Sequence, residues 1–241
     1  MSNEKFECLI LAGGRGTRLQ RIDSSRPKPL ISVLGLPFID YQLKLLRKQG
    51  LKRILISTGY MGDQMDNYIK KLKLENMHIS TIHENYPLGT GGAIKNAIDF
   101  LDDEVLVCNG DTIAFFDLRE MFSFHKKRKS NLTILIRQIE QSSRYGIISL
   151  DLDDDRIVAF QEKSDARKSW ISAGYFILAK KKISWDDYPE SFSYEELLFP
   201  DLVRNGKAYG FKFDDYFIDV GTPDSYNQFI NDVTSKRVDF S

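Results

Sequence analysis

Two segments of this chain hold residue types that suit a polyphosphate. Leu11-Ala12-Gly13-Gly14-Arg15-Gly16-Thr17-Arg18-Leu19 follows the apolar run Phe6 to Leu11, and Pro27-Lys28-Pro29 comes shortly after. Three glycines within four positions let the backbone turn tightly and approach a ligand closely. Their N–H groups, with the cations of Arg15, Arg18 and Lys28, would cradle phosphate oxygens. The spacing is neither the Walker pattern G-x-x-x-x-G-K-S/T nor the dinucleotide pattern G-x-G-x-x-G. A loop that merely turns is the plain alternative.

Carboxylates stand apart from one another at the ends of other apolar runs. Asp111 closes Asn109-Gly110-Asp111, and Asp219 sits in Phe217-Ile218-Asp219-Val220-Gly221-Thr222-Pro223. Mg²⁺ is typically held by one or two carboxylates plus substrate phosphates, so the pair fits that ion. An Asp beside a Gly is also ordinary turn chemistry. His78, His83 and His125 have no catalytic or zinc spacing and read as surface or packing residues.

These residues need a scaffold of alternating elements. Strand-like runs are Phe6–Ala12, Arg53–Thr58, His78–His83 and Glu104–Asn109. Helical patterns lie between them, with Phe38, Tyr41, Leu45 and Leu46 in one, Met61 to Leu72 in the next and Gly91 to Leu101 in the third. Strands separated by helices imply parallel pairing in a doubly wound sheet, with ligands at the carboxyl ends of the strands. The glycine loop and Asn109-Gly110-Asp111 both fall at such ends. After about residue 130 strands dominate: Leu132–Arg137, Gly146–Leu150, Arg156–Glu162, Trp170–Ala179 and Ala208–Phe213, with Asp153 to Asp155 as a hairpin turn. Ser193–Val203 reads as a helix capped by Ser193. Thr222 caps a last helix, with Pro223 at its first position and Tyr226, Phe229, Ile230 and Val233 on its buried face. The tail from Thr234 is expected to be loosely held.

The fold class is therefore α/β: one domain over residues 1–241 built on a single doubly wound, mixed but mainly parallel sheet. Its first half, over about 1–130, carries the glycine loop and would be the nucleotide-binding half by the resemblance given below, and a smaller β-rich half over about 131–233 would by the same resemblance take the second substrate. No internal repeat or linker interrupts it. Of the 241 residues, 42% are hydrophobic and the formal net charge is zero, which gives no global attraction to nucleic acid. Lys126-Lys127-Arg128-Lys129 reads as the solvated end of a helix, where cations offset the dipole. No apolar run approaches a membrane span, no secretory signal pattern opens the chain, and Cys8 and Cys108 lie in apolar runs as reduced core residues. A cytoplasmic protein is the expectation.

The glycine-rich block with its Pro-Lys-Pro resembles the signature of the sugar-1-phosphate nucleotidyltransferases, and the resemblance runs from about residue 6 to residue 233. It implies a Rossmann-like fold and a Mg²⁺-dependent reaction of a nucleoside triphosphate with a sugar 1-phosphate. By that resemblance Arg18, Lys28, Asp111, Lys163 and Asp219 are catalytic, with Asp111 and Asp219 on the metal. Leu11 to Thr17, Lys28, Glu84, Pro87, Gly89, Thr90, Asn109 and Gly110 meet the nucleotide. The segment Pro87-Leu88-Gly89-Thr90-Gly91-Gly92-Ala93 is similar to the family's base-recognition loop. Tyr145-Gly146, Glu162-Lys163 and Ser172-Ala173-Gly174 correspond to its sugar site. The Ser at 172 departs from the usual Asn, which puts that sugar contact in doubt, and a Glu-Lys pair after a strand is otherwise a common surface feature.

Glu84 bears on the base. A carboxylate only accepts hydrogen bonds, and guanine offers N1–H and its 2-amino group side by side. Uracil and thymine flank one N–H with two carbonyl oxygens. Glu84 thus favours GTP if it faces the base, although some uridylyl relatives that load muramic-type sugars also have Glu here. The layout is similar to short bacterial guanylyltransferases acting on D-glycero-α-D-manno-heptose 1-phosphate, which would give GDP-heptose and pyrophosphate. Synthesis of GDP-mannose, or uridylyl or cytidylyl transfer to another sugar phosphate, is the alternative enzyme reading. A nucleotide-sugar-sensing regulatory subunit is the non-enzyme reading, against which Lys28, Asp111, Lys163 and Asp219 are all present. The expected partners are GTP and a sugar 1-phosphate, with no nucleic acid and no membrane; a homodimer is left open.

Overall fold

The computed structural model of the chain describes residues 5–141, 145–151, 153–161 and 167–240. The first strand, β1 (Phe6–Ala12), leads into the glycine loop, and a small hairpin, β2 (Ser32–Val33) with β3 (Leu36–Pro37), precedes helix α1 (Phe38–Lys48). Then follow β4 (Arg53–Thr58), α2 (Gly62–Lys71), β5 (His78–His83), α3 (Gly89–Ala97), β6 (Leu101–Asn109), β7 (Thr112–Ala114) and α4 (Leu118–Arg128). The second half comprises β8 (Leu132–Gln141), β9 (Ile147–Leu150), β10 (Ile157–Gln161), β11 (Arg167–Ala179), α5 (Phe199–Arg204), β12 (Ala208–Lys212), β13 (Phe217–Asp219) and α6 (Pro223–Thr234).

The main sheet is mixed. β6, β1, β4 and β5 lie side by side and all parallel. β11 joins β6 antiparallel, β8 runs along its other edge, and β12 pairs parallel with β8. β9 borders the start of β11 and carries β10. This is the expected architecture, and it puts the carboxyl ends of β1, β4, β5 and β6 along one rim.

β1, β4 and the second half of β6 are buried on both faces, while β5 forms the partly exposed edge. Leu9, Val105 and Val107 pack on one side with Ile94, Ala97 and Phe199, while Ile10, Ile54 and Ile56 pack on the other with Ile39, Leu43 and Met65. Full burial of each such side chain stabilises by roughly 1.5–3 kcal/mol, which is why these strands read as continuous apolar runs instead of alternating ones. Cys8 and Cys108 are fully buried free thiols, their sulfurs 3.9 Å apart. The turn through Asp153 to Asp155 does join two strands, β9 and β10, as expected.

Three expectations need correction, and one pairing was not foreseen. The third helix begins at Gly89 and ends at Ala97, and Ile98–Phe100 tightens into a 3-10 turn, so the strand starts at Leu101, whose side chain is fully buried. Ser193 stands at the start of a helical stretch, but its side chain caps nothing; that stretch is a π-helical turn, Tyr194–Leu198, leading into α5. The tail is not loose. Val238 and Phe240 are buried, and Phe240 packs edge-on against Tyr41, Phe115 and Phe229. Finally, the pair β7–β13 had no periodic signal, being three residues on each side. α6 starts as read, with Thr222 and Ser225 in a reciprocal cap worth about 1 kcal/mol.

Candidate active site

The four parallel strand ends open into a cleft of about 740 Å³. Leu11 to Arg18 and Lys28 line it from the β1 side, Glu84, Pro87, Gly89 and Thr90 from the β5–α3 side, and Asn109, Gly110 and Asp111 from β6. Every residue expected to meet the nucleotide therefore lines one cavity. Gly59, Tyr60, His83, Asn85 and Tyr86 complete its wall. Composition gave no signal for Tyr60; it is fixed by its N–H donating to Gly13 O at 3.1 Å, and the Arg15 guanidinium lies 5.8 Å from its ring centroid.

At the β6 end, Lys28 Nζ pairs with Asp111 Oδ2 across 83 residues of sequence. Pro27 and Pro29 restrict the backbone around Lys28, so its ammonium is held over this spot. Thr112 Oγ1 donates to Asp111 Oδ1 at 3.1 Å, and the Val220 N–H donates to Asp111 O at 2.8 Å. In the β7–β13 ladder Asp219 stands directly opposite Thr112. Two residues 107 positions apart in sequence thus become backbone neighbours. Asp219 itself does not line the cleft. The two carboxylates supply hard oxygen donors, and among the described residues no group of three or more His, Cys, Asp or Glu could hold a metal. Such a donor set suits a cation shared with phosphate oxygens, as Mg²⁺ is, better than a closed protein cage.

At the other end, Glu84 sits on the glycine loop. Its N–H donates to Thr58 O at 2.7 Å, Ser57 Oγ donates to Oε1 at 3.0 Å, and the Leu88 N–H reaches Oε2 at 3.4 Å. Burial raises its carboxyl above the ordinary range, against the lowering effect of those two donors. The loop after it is fastened to the segment before the π-helical turn. Tyr86 OH donates to Glu190 Oε2 at 2.5 Å, Ser191 Oγ to Pro87 O at 3.1 Å, and the Gly91 N–H to Phe192 O at 2.8 Å. Tyr194 ties this region to β6, its N–H donating to Thr90 Oγ1 and its hydroxyl to Asn109 Oδ1, both at 3.1 Å. Sequence reasoning missed Tyr194, which looked like one more aromatic on a helix.

Of the expected sugar-site residues, Tyr145, Gly146, Ser172, Ala173 and Gly174 are described, and none of them lines this cleft. Glu162 and Lys163 fall outside the described residues. Tyr145 rests on Phe217, ring centroids 5.8 Å apart, and Gly146 is buried. Ser172 to Tyr175 form a bulge, where the β11–β8 register shifts. Gly174 has φ +73°, and a Cβ there would lie 3.0 Å from Asn109 Nδ2. The bulge thus lies against the residues on either side of the Asp111 turn, since the same Cβ would be 3.2 Å from Thr112 Oγ1. Ser172 Oγ accepts from the Gly174 N–H at 3.3 Å, and the Ala173 side chain is in the core. These two residues build the bulge; their side chains line no cavity with the nucleotide residues, because one is spent on the turn and the other on packing.

Comparison with known proteins agrees with this geometry. The model of the nucleotidyl transferase family matches residues 7–236. The D-glycero-alpha-D-manno-heptose 1-phosphate guanylyltransferase of Aneurinibacillus thermoaerophilus is 36% identical over 92% of this chain and 96% of its own length. The enzyme of the same name from Campylobacter jejuni is 34% identical over 93% and 99%. Among solved structures, HddC from Yersinia pseudotuberculosis complexed with GMP-PN aligns with a TM-score of 0.82 at 34% identity, covering 95% of this chain and 99% of that one. A putative glucose-1-phosphate thymidylyltransferase from Bacillus anthracis, at 22% identity and a TM-score of 0.79, shares the fold. The chain belongs to the nucleotidyl transferase family.

Proposed function

We propose that the protein transfers GMP from GTP to D-glycero-α-D-manno-heptose 1-phosphate, with Mg²⁺ as cofactor, in the cytoplasm. The observation that carries the guanine assignment is the Glu84 carboxylate in the wall of the cleft, braced by Ser57 and Leu88. The names of the heptose 1-phosphate guanylyltransferases matched over nearly their whole length support the sugar. Mannose-1-phosphate guanylyltransferase of Mycobacterium tuberculosis is 30% identical, and this chain spans 64% of its length. No helix among the described residues is long and apolar enough to cross a membrane.

In this reading an oxygen of the sugar phosphate attacks the α-phosphorus of GTP, the bond to the β-phosphate oxygen breaks, and pyrophosphate leaves. The attacking phosphate has a second pKa of about 6, so it needs no general base. The protein's work is alignment and charge neutralisation. The glycine loop donates N–H groups to the phosphates, and Arg15 and Arg18 add charge at its exposed edge. Lys28 supports the charge that grows at the α-phosphate. Asp111 and Asp219 would hold Mg²⁺, which when bound neutralises the phosphates between them. Lys163 would orient the sugar phosphate and Glu162 its hydroxyls.

Pyrophosphate release across GTP, UTP, CTP and dTTP, each with heptose and mannose 1-phosphates, tests this. A mismatched buried hydrogen bond costs about 1–3 kcal/mol, so GTP should lead in kcat/KM by ~10-fold or more. Equal values for GTP and UTP with the best sugar would remove the guanine assignment; a lead for mannose 1-phosphate would remove the heptose.

A further inference from the structure

Gln42 is a fully buried amide in the middle of α1, a position where packing alone calls for an apolar side chain. Its Nε2 lies 2.9 Å from Asn109 O, 3.2 Å from Thr112 O, 3.2 Å from the Tyr175 hydroxyl and 3.6 Å from Cys108 Sγ, so its two hydrogens are shared among these acceptors. Carbonyl oxygens only accept, so two of them around one atom fix it as the NH₂. Tyr175, also fully buried, uses its own hydrogen on Thr112 O at 2.8 Å and therefore receives from Gln42. Gln42 Oε1 is buried with no hydrogen-bond partner among the described residues.

Asn109 and Thr112 bracket Gly110-Asp111. Gln42 thus grips the turn that presents Asp111 on both sides, from the core. Tyr175 is the last residue of the Ser172–Tyr175 bulge, so the same three-cornered network joins that bulge to the turn. An amide that leaves its own carbonyl unpartnered is a poor device for stability, since a buried polar atom without a partner is costly.

We propose that Gln42, with Tyr175, is a positioning residue that sets the Asp111 turn, and so the cation-binding geometry, relative to the bulge of β11. This rests on the reading above in which Asp111 holds the metal. Groups that orient metal ligands typically change metal affinity 10–100-fold when removed. Gln42→Met keeps length and removes the donor. Tyr175→Phe removes one oxygen and is the variant less apt to disturb the core.

The test is Mn²⁺ binding to the whole protein with a non-hydrolysable GTP analogue, read from the paramagnetic resonance signal of the free ion. Each variant should bind Mn²⁺ about 10-fold more weakly. Affinity for the analogue in EDTA should stay within about two-fold, because the glycine loop and Glu84 are untouched. The double variant should lose little more than the stronger single one, as members of one network do. In turnover, kcat should fall while the KM for GTP holds. Wild-type Mn²⁺ affinity in folded Tyr175→Phe and Gln42→Met would overturn the inference while leaving the metal assignment intact. Absence of Mn²⁺ binding by the wild type would overturn the assignment itself, and the inference with it.

Discussion

The carboxylate of Glu84 lies against the Cα of Gly13, so closely that a Cβ on residue 13 would stand 2.3 Å from Glu84 Oε1. The glycine is required by a side chain 71 residues away in sequence as much as by a phosphate. Gly13→Ala would have to push Glu84 off Ser57, breaking the bond that aims the carboxylate. The expected result is a folded protein whose kcat/KM for GTP falls ~10-fold or more, with a smaller fall for UTP. Equal losses for both nucleotides would mean that Gly13 serves the phosphates alone.

Glu84→Gln tests the same contact from its other side. The amide keeps the size and donates where a carboxylate accepted, so the preference for GTP should shrink toward parity. Burial holds the Glu84 carboxyl above its ordinary range. It therefore takes up a proton at a higher pH than a free Glu, and a protonated carboxyl accepts from guanine poorly. The kcat/KM for GTP should decline on the acid side sooner than that for UTP, and Glu84→Gln should lack this difference. A difference unchanged in the variant would assign it to another group.

Much of this site was legible because its parts lie at the ends of long apolar strands. Strands such as Arg53–Thr58 and His78–His83 appear at the residues expected, since short runs centred on Ile, Leu and Thr between turn signals leave little choice. What was not legible is short or long-range. β7 and β13 have three residues each and exist because they find one another. Their pairing is what brings Asp219 beside Asp111. The tail shows no pattern of its own and is ordered by the aromatic pocket of Tyr41, Phe115 and Phe229, which three separate segments contribute. Gln42 gave no signal at all, because its partners, two backbone carbonyls and the Tyr175 hydroxyl, lie 67 to 133 positions away in sequence.

Asp111→Asn and Asp219→Asn separate the two carboxylates. Lys28 lies in the ion pair with Asp111, so Asp111→Asn removes both a proposed metal ligand and the partner of a half-buried ammonium. Loss of preorganised charge in such sites typically costs ~10²–10³ in kcat, and both variants should show it while keeping their unfolding midpoints within a few degrees. Raising Mg²⁺ should restore part of the Asp219→Asn rate and less of the Asp111→Asn rate. A variant with wild-type kcat at saturating Mg²⁺ has a structural carboxylate.

The two lysines should divide the work. Lys28 is held between prolines at the Asp111 end of the cleft, so Lys28→Ala should lower kcat strongly, by removing charge support that in the proposed reaction grows in the transition state. Lys163→Ala should chiefly raise the KM for the sugar phosphate and leave GTP binding nearly intact. Titration of both variants with GTP decides the matter. If Lys163→Ala weakens GTP as much as Lys28→Ala does, this division of roles is wrong.

His125 predicts how stability depends on pH, far from the cleft. It is buried on α4, its Nδ1 lies 2.8 Å from Thr133 Oγ1, and its Nε2 has no hydrogen-bond partner among the described residues. Burial, with the Lys126 charge beside it, lowers its pKa from the ordinary 6.5 to about 4. Between these two values the unfolded chain binds a proton that the folded chain refuses. Stability tied to His125 is therefore complete above the ordinary pKa and lost as the pH falls toward the folded one. From about pH 7 to about pH 5 the loss should be on the order of 2 kcal/mol. Urea unfolding of the wild type and His125→Gln at these two pH values measures it. The variant should start less stable, having lost the bond to Thr133, yet lose less on acidification. Identical losses in the two proteins would show that other groups, not His125, set the acid sensitivity.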